Sequence, residues 1–188
     1  MRIAISGPPG SGKTTISKIV AERLDYECVL VGQIFRQMAQ ERKIDLDKFG
    51  RLAEEDETID RELDSRMLAI AKANNNIVIE GRLSGALLKS SNVHVFAAYV
   101  TASEEVRAKR IAERESKDPE TVLKEMRIRE RSEKKRYFSY YGIDPCDRGI
   151  YDLWVDSSTT SAEEIAEMIV DRARKAGVDD SGEVPKPH

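Results

Sequence analysis

Short apolar runs alternate with longer amphipathic stretches along most of this 188-residue chain. Continuous apolar runs of this kind are typical of strands buried on both faces of a parallel sheet. Between them, apolar residues recur every three or four positions, which indicates helices. The pattern predicts strands at residues 2–6, 27–31, 77–80, 94–100 and 151–156. It predicts helices at residues 13–24, 33–42, 45–71, 104–115, 119–140 and 162–175, with the third broken near Glu57 and Thr58. This alternation predicts an α/β fold, a five-stranded parallel sheet with helices on both faces.

Three local signals refine the element boundaries. Gly32 predicts a turn between the second strand and the helix that follows it. Ser103 predicts a helix N-cap. Ser161 and Glu164 have the spacing of a capping box, which predicts the start of the last helix.

Two helical segments are too long or too charged to pack entirely on the sheet, and we expect them to be flaps over its ligand-binding edge. The predicted organisation is one domain over residues 1–176, followed by a flexible tail at 177–188 that has two prolines and no periodicity. Within the domain we predict a core of residues 1–31, 74–109 and 149–176, a helical flap of residues 32–73 and a lid of residues 110–148.

The stretch from Gly7 to Thr14, Gly-Pro-Pro-Gly-Ser-Gly-Lys-Thr, fits the phosphate-binding pattern G-x-x-x-x-G-K-[ST] without a mismatch. A predicted strand precedes it and a predicted helix follows it, which is the context that the pattern requires. Glycines let successive N–H groups point inward as an anion-binding nest, and the helix N-terminus adds partial positive charge. The motif predicts a three-layer fold of the P-loop NTPase type. The predicted ATP-binding residues are Gly7, Pro8, Pro9, Gly10, Ser11, Gly12, Lys13, Thr14 and Thr15. Lys13 is expected to reach the β- and γ-phosphates, and the Thr14 hydroxyl is expected to bind Mg²⁺.

Arginines concentrate where ligands bind in open α/β sheets, past the carboxyl ends of the strands. Arg36 follows the second predicted strand, and Arg82 follows the third. If the acceptor of the γ-phosphoryl group is itself a phosphate, cations must hold both anions in line. We expect Arg36 and Arg82 to hold the acceptor phosphate, while lid residues close over the transferring group and exclude water. The predicted catalytic residues are Lys13, Arg110, Arg114, Arg129 and Arg136. For the arginines of residues 119–140, pairing with neighbouring glutamates on a solvated face is the alternative interpretation.

These motifs resemble the nucleoside monophosphate kinases, and most closely the archaeal type of cytidylate kinase, over about residues 1–170. Gly32-Gln33-Ile34-Phe35-Arg36 is similar to the family's G-x-x-x-R stretch, and Glu80-Gly81-Arg82 is similar to its D-G-R stretch. Arg110-Ile111-Ala112-Glu113-Arg114 resembles the R-x-x-x-R of the lid. The resemblance implies ATP-dependent phosphorylation of CMP and dCMP with Mg²⁺, and makes residues 32–73 the NMP-binding flap. It also implies that Arg36 and Arg82 grip the acceptor phosphate, that Glu80 orders Mg²⁺-bound water, and that Glu133 stands where bacterial relatives have a ribose-contacting aspartate. Arg61 precedes Arg82 by the interval of an arginine that bacterial relatives use on cytosine.

The residues expected to recognise the base do not decide whether the acceptor is CMP or another nucleotide such as AMP or UMP. Val31 and Leu83 replace a serine and an aspartate that help bacterial relatives to read cytosine. A cytosine reader needs a hydrogen-bond acceptor close to a cation, and Asp60 with Arg61 offers both on one helix face, as do Asp56 and Asp64. An exposed charged face is the other interpretation. The predicted NMP-binding residues are Arg36, Gly81, Arg82, Arg61 and Asp60. The predicted metal-binding residues are Thr14 and, through water, Glu80.

Composition and motifs argue against several other classes of protein. A net charge of −3 and 6% aromatic residues argue against nucleic acid as a ligand, and so against a nucleic-acid-associated ATPase. Cys28 and Cys146 are far apart, which favours a reducing, cytoplasmic location and excludes a structural zinc site. No apolar run reaches the roughly 18 residues of a membrane span, and no signal peptide is expected.

A GTPase switch would need an N-K-x-D guanine reader, which the chain lacks. A kinase of a small hydroxyl compound, such as shikimate, would need a catalytic base near the acceptor, whereas Arg36 and Arg82 indicate a phosphate there. We expect a monomer whose ligands are ATP and CMP or dCMP.

Overall fold

A single parallel sheet forms the centre of the protein. The computed structural model describes residues 1–177. The strands are β1 (Arg2–Ser6), β2 (Glu27–Leu30), β3 (Ile77–Glu80), β4 (Phe96–Thr101) and β5 (Leu153–Asp156). The α-helices of the described residues are α1 (Lys13–Leu24), α2 (Val31–Glu41), α3 (Leu46–Glu55), α4 (Glu57–Ala73), α5 (Ser84–Ser90), α6 (Glu104–Glu115), α7 (Pro119–Tyr141) and α8 (Ala162–Lys175). A 3₁₀ turn covers Arg148–Ile150.

The strand order is β2-β3-β1-β4-β5, and all pairings are parallel. Strand β1 lies in the middle of the sheet, where Ile3 is level with Val78 of β3 on one side and with Phe96 of β4 on the other. The segments that follow β1, β3 and β4 therefore leave the sheet at neighbouring points of one edge.

Helices cover both faces of the sheet because successive β1 side chains point to opposite sides. Ile3 and Ile5 belong to a core that α1 and α8 close, with Ile16 and Ile165 among its fully buried members. Ala4 belongs to the opposite core, which α2, α3, α4 and α5 close. The predicted α/β fold, with a five-stranded parallel sheet between two helical layers, is confirmed.

Side-chain hydrogen bonds cap the helices at the predicted starts. The Ser103 hydroxyl accepts a hydrogen bond from the Val106 amide at the start of α6. Ser161 and Glu164 form the predicted capping box of α8. The predicted break near Glu57 lies at Asp56, whose carboxylate accepts from the Thr58 amide and so starts α4.

The predicted boundary after β2 was wrong. We expected the strand to run to Val31 and Gly32 to form a turn, but both residues lie inside α2. A β-branched residue favours strands only weakly, and packing overrides that preference. Here the Val31 side chain packs beside Gly81, where a Cβ atom would lie 2.8 Å from Val31 Cγ2.

Helix α5 was not predicted at all. Its residues from Ser84 to Leu88 are buried in succession, so they show no polar face and no helical periodicity. Strands β4 and β5 each begin two residues later than predicted, at Phe96 and Leu153. The predicted tail at 177–188 lies outside the described residues, apart from Gly177. None of the helices in residues 1–177 combines the length and the apolar character that crossing a bilayer requires.

Candidate active site

The loop between β1 and α1 has a backbone that requires glycine. Gly7 has φ of 148° and Gly10 has φ of 78°, both on the positive side that L-residues rarely adopt. A Cβ atom at Gly7 would lie 2.1 Å from the Val100 carbonyl oxygen, and one at Gly10 would lie 2.7 Å from the Arg107 carbonyl oxygen. The loop is thus packed against β4 and α6. Its shape is that of the phosphate-binding loop that the sequence predicts.

A small polar cluster lies where this loop meets the end of β3. Lys13 Nζ donates to the Pro8 carbonyl oxygen at 3.2 Å and is 3.5 Å from Glu80 Oε1. The Thr14 hydroxyl donates to Glu80 Oε2 at 3.3 Å. Glu80 therefore joins the two P-loop residues that carry the predicted phosphate and metal roles.

Burial lowers the pKa of Lys13 to about 8, although Glu80 opposes that shift. The positive charges of Arg82 and Arg114 lower it further. A polyanion that binds beside this buried ammonium group would stabilise its charged form and offset the repulsion from the neighbouring cations.

The donor set of this cluster fits Mg²⁺. That ion prefers oxygen ligands, keeps several waters and takes substrate phosphates as ligands, so one or two protein oxygens suffice. The Thr14 hydroxyl and the Glu80 carboxylate supply such oxygens. Within residues 1–177 no group of three or more His, Cys, Asp or Glu side chains could hold a metal by itself.

Arg110 lies directly beside the P-loop. Its Nη1 atom donates to Ser157 Oγ at 3.0 Å and to the Gly10 carbonyl oxygen at 3.4 Å. Ser157 Oγ in turn donates to the Ser11 carbonyl oxygen at 2.7 Å. Arg114, one turn further along α6, has a side chain that is 68% exposed and pairs with Glu115. Of this predicted arginine pair, the structure brings only Arg110 into contact with the loop.

Arg107 was not among the predicted site residues, yet it is buried in the middle of this region. Its side chain donates to the Ala102 carbonyl oxygen at 3.1 Å and to the Pro9 carbonyl oxygen at 3.3 Å, and it pairs with Glu130 of α7. It therefore ties the P-loop, the end of β4 and α7 together. The sequence could have indicated its burial, because Arg107 lies four residues before Ile111 and therefore on the same, buried face of α6.

Arg82, which we predicted to hold the acceptor phosphate, follows β3. Its side chain is 22% exposed and forms an ion pair with the buried Glu133 of α7, to which Arg129 also donates at 3.1 Å. Burial lowers the pKa of Arg82 to about 10, and the neighbouring Arg129 adds to that shift. Arg36 is exposed, and no hydrogen bond or ion pair within residues 1–177 joins it to this group. Gly81 leaves no room for a side chain beside Val31.

The predicted base-reading residues are arranged differently from our expectation. Asp60 Oδ2 lies 3.2 Å from Arg136 Nε, and these side chains are only 13% and 15% exposed. Arg61 lies on the exposed part of α4, pairs with Glu57 at 3.2 Å, and is 5.9 Å from the ring centre of Tyr141. The structure therefore brings Asp60 together with Arg136 and not with Arg61.

Two other aspartates of α4 make different contacts. Asp56 is the N-cap of the helix. Asp64 accepts a 2.5 Å hydrogen bond from the Tyr141 hydroxyl, and burial raises the pKa of Asp64 to about 6.

Comparison with known proteins agrees with this geometry. The model of the cytidylate kinase-like family matches residues 2–159. The chain belongs to that family. A protein of Archaeoglobus fulgidus named cytidylate kinase is 44% identical over 170 residues, which cover 90% of this chain and 93% of that protein. A protein of Methanothermobacter thermautotrophicus with the same name is 43% identical over 163 residues, covering 87% and 99%. The resemblance to archaeal cytidylate kinases is confirmed.

Solved structures support the fold. An uncharacterised protein from Eubacterium ventriosum superposes with a TM-score of 0.69 at 21% identity, covering 91% of this chain and 96% of that chain. Shikimate kinase from Acinetobacter baumannii superposes with a TM-score of 0.62 at 17% identity, covering 95% of both chains. At these identities the likeness shows a shared P-loop kinase fold.

Proposed function

We propose that the protein is a cytidylate kinase that transfers the γ-phosphoryl group of ATP to CMP and dCMP. The observation that carries this proposal is the proximity of donor-side and acceptor-side cations at neighbouring strand ends. Lys13 Nζ lies 3.5 Å from Glu80 at the end of β3, and Arg82 follows Glu80 by two residues. A phosphate on each side of this point would place the two anions end to end. The names of the archaeal relatives support cytidylate as the acceptor.

On the donor side, the P-loop from Gly7 to Thr15 binds the triphosphate through backbone N–H groups, and Lys13 and Arg110 neutralise its charge. Thr14 and, through water, Glu80 would hold Mg²⁺. When bound, the ion neutralises phosphate charge and helps to orient the phosphates. The hydrogen bond between Thr14 and Glu80 already holds these two ligands together.

On the acceptor side, Arg82 and Arg36 hold the phosphate of CMP, bidentate where geometry permits. An oxygen of that phosphate forms a bond to the γ-phosphorus while the bond to the ADP oxygen breaks. The attacking oxygen is already ionised, so the step needs no general base. Arg114, Arg129 and Arg136 would close over the transferring group and exclude water, as the lid model requires.

The division into a core, an NMP-binding flap at 32–73 and a lid at 110–148 belongs to this proposal. Helices α2, α3 and α4 make up most of the flap, and α7 makes up most of the lid. The cytoplasmic location, the monomeric state and the exclusion of nucleic acid stay predictions from the sequence.

An acceptor panel tests the function. ADP formation from ATP would be measured with CMP, dCMP, UMP, AMP and GMP in a coupled assay. We expect CMP and dCMP to have the highest kcat/KM. A higher kcat/KM for AMP than for CMP would overturn the assigned base, and ATP hydrolysis that is independent of any acceptor would overturn the kinase assignment.

The acceptor role of the arginines has its own signature in this assay. Arg82→Ala and Arg36→Ala are each expected to raise the KM for CMP by about 10- to 100-fold, because each removes charged hydrogen bonds to the acceptor. The KM for ATP should change much less. Arg127→Ala is the matched control, since Arg127 is an exposed α7 arginine that pairs with Glu104. Equal effects on both substrates would contradict the acceptor role.

A further inference from the structure

Helix α7 packs against two different parts of the protein along its length. Its first half shares a small core with α6, in which Val122 and Met126 are buried. Its last residues pack against the core that α2, α3, α4 and α5 close, through Tyr137 and Tyr141. The predicted lid helix is therefore attached to the predicted NMP-binding flap at its C-terminal end.

A hydrogen bond fixes that end of the helix to α4. The Tyr141 hydroxyl donates to Asp64 Oδ2 at 2.5 Å, although the two residues are 77 positions apart in the chain. Burial raises the pKa of Asp64 to about 6, and the hydrogen bond from Tyr141 opposes that shift. Hydrogen bonds to an ionised partner are stronger than neutral ones, and a low local dielectric strengthens them further. The same two helices also meet at Arg136 and Asp60, so they run side by side in one direction.

The middle of α7 carries the contacts to the phosphate-binding parts of the protein. Glu130 pairs with Arg107, which also donates to the Pro9 carbonyl oxygen of the P-loop at 3.3 Å. Glu133 lies on the next turn of α7 and pairs with Arg82 at the end of β3. One continuous helix thus runs from the P-loop side, past the predicted acceptor-phosphate residue, to the flap. Rigid elements of this kind can carry a displacement from one site to another.

We propose that Tyr141 and Asp64 are positioning residues that couple binding of the acceptor nucleotide to binding of ATP. The inference rests on the proposed function, and it deepens that function by naming how the two substrate sites communicate. An acceptor that draws the flap towards the sheet edge carries the C-terminal end of α7 with it, because the hydrogen bond holds the two helices together. The same movement repositions Glu130 and Glu133, and through Glu130 it acts on the arginine that holds the P-loop. Neither Tyr141 nor Asp64 needs to touch a substrate.

Coupling between two binding sites is reciprocal, so CMP and ATP must tighten each other's binding by the same factor. The factor is the Kd of a non-hydrolysable ATP analogue without CMP, divided by its Kd with saturating CMP. Isothermal titration calorimetry of the full chain measures both values. For the wild type we expect a factor of about 10 or more, which is common for coupled sites.

Tyr141→Phe tests the proposal, because it removes one hydroxyl and keeps the ring. We expect the coupling factor to fall to about 1–3, since a hydrogen bond to a charged group is lost, while the Kd of the analogue alone changes less than about twofold. Tyr140→Phe is the matched control. Its ring lies 5.9 Å from the Arg61 guanidinium group, as does that of Tyr141, but its hydroxyl makes no hydrogen bond within residues 1–177. Its coupling factor should equal that of the wild type.

Variants of Asp64 provide a second measurement that separates the hydrogen bond from the charge. In Asp64→Asn the side-chain oxygen can still accept from Tyr141, and burial already disfavours the charge that is lost, so the coupling factor should stay near that of the wild type. Asp64→Ala removes the acceptor and should match Tyr141→Phe. The double variant should lose no more coupling than either of these single variants, because both delete the same contact.

Thermal unfolding of each variant distinguishes coupling from a purely structural contact. A lower melting temperature in Tyr141→Phe together with an unchanged coupling factor would make the hydrogen bond structural and overturn the proposal. A wild-type factor of 1 would also overturn it, as would equal losses in Tyr140→Phe and Tyr141→Phe or in Asp64→Asn and Asp64→Ala. Each of these results leaves the kinase intact. A wild-type protein that phosphorylates no nucleoside monophosphate would overturn the proposed function itself.

Discussion

At the scale of single residues, Lys13 shows how burial prepares a side chain for a polyanion. Desolvation lowers its pKa to about 8 against the opposing effect of Glu80. Above pH 8 the ammonium group is therefore partly deprotonated. A triphosphate bound next to it favours the charged form and raises the pKa again.

ATP binding at pH 9 should consequently take up a proton at Lys13. Calorimetric titrations in buffers with different ionisation enthalpies would measure this uptake, and we expect it to disappear near pH 7. Lys13→Arg is the control, because a guanidinium group stays charged at both pH values. A wild-type protein that takes up no proton at pH 9 would contradict the pKa assignment.

At the scale of elements, two arginine–glutamate pairs join α6 to α7, and they differ in burial. Arg107 is 6% exposed and pairs with Glu130, and it also holds the Pro9 carbonyl oxygen of the P-loop. Arg127 is 53% exposed and pairs with Glu104. The buried pair is thus a connection between the P-loop and α7, whereas the exposed pair is an ordinary surface contact.

Arg107→Met should lower the free energy of unfolding by about 3–5 kcal/mol, because it leaves Glu130 without its partner and the Pro9 carbonyl without a donor. Arg127→Met should cost at most about 1 kcal/mol, as exposed pairs do. Urea denaturation of both variants would measure the difference. Equal losses would show that burial of the Arg107 pair is unimportant.

Helix starts could be predicted where the residues that determine them are close together in the sequence. The caps at Ser103, Asp56 and Ser161 involve residues two or three positions apart, so the sequence alone contains them. Helix α5 was missed because its first five residues, from Ser84 to Leu88, are buried in succession and leave no alternation of polar and apolar positions to reveal a helical period. The start of α2 was misplaced because Val31 packs against Gly81, which is remote in sequence.

At the scale of the whole molecule, Glu133 joins α7 to the end of β3. It accepts from Arg129 at 3.1 Å and pairs with Arg82, so one carboxylate neutralises two cations. An anion is thus required at this point of the structure, either as the Glu133 side chain or as the phosphate of an acceptor.

Glu133→Gln should therefore lower the free energy of unfolding by about 2–3 kcal/mol, because two neighbouring cations lose their counter-charge. Inorganic phosphate should raise the melting temperature of this variant more than that of the wild type, since it replaces the lost charge. Thermal unfolding with and without phosphate would measure both effects. Inorganic phosphate is used rather than a nucleotide because it has no ribose that Glu133 could contact.

Glu125→Gln is the control, because Glu125 lies on the same helix with a 58% exposed side chain and pairs with Lys117 at 3.4 Å. It should match the wild type in both measurements. The same phosphate response in Glu133→Gln and in the wild type would show that Glu133 does not stand in for an anion.

The sequence by itself determined the P-loop, the sheet, most of the helices and the kinase family. These features depend on contiguous residues, whose glycines, apolar runs and caps constrain the backbone directly. Only the tertiary structure decided which groups the charged side chains meet. Arg136 meets Asp60, Arg82 meets Glu133, and Arg107 meets the Pro9 carbonyl, 98 residues away. With 31 basic and 34 acidic residues, many pairings satisfy the same local pattern. The packing of α4, α6 and α7 around the sheet edge selects among them.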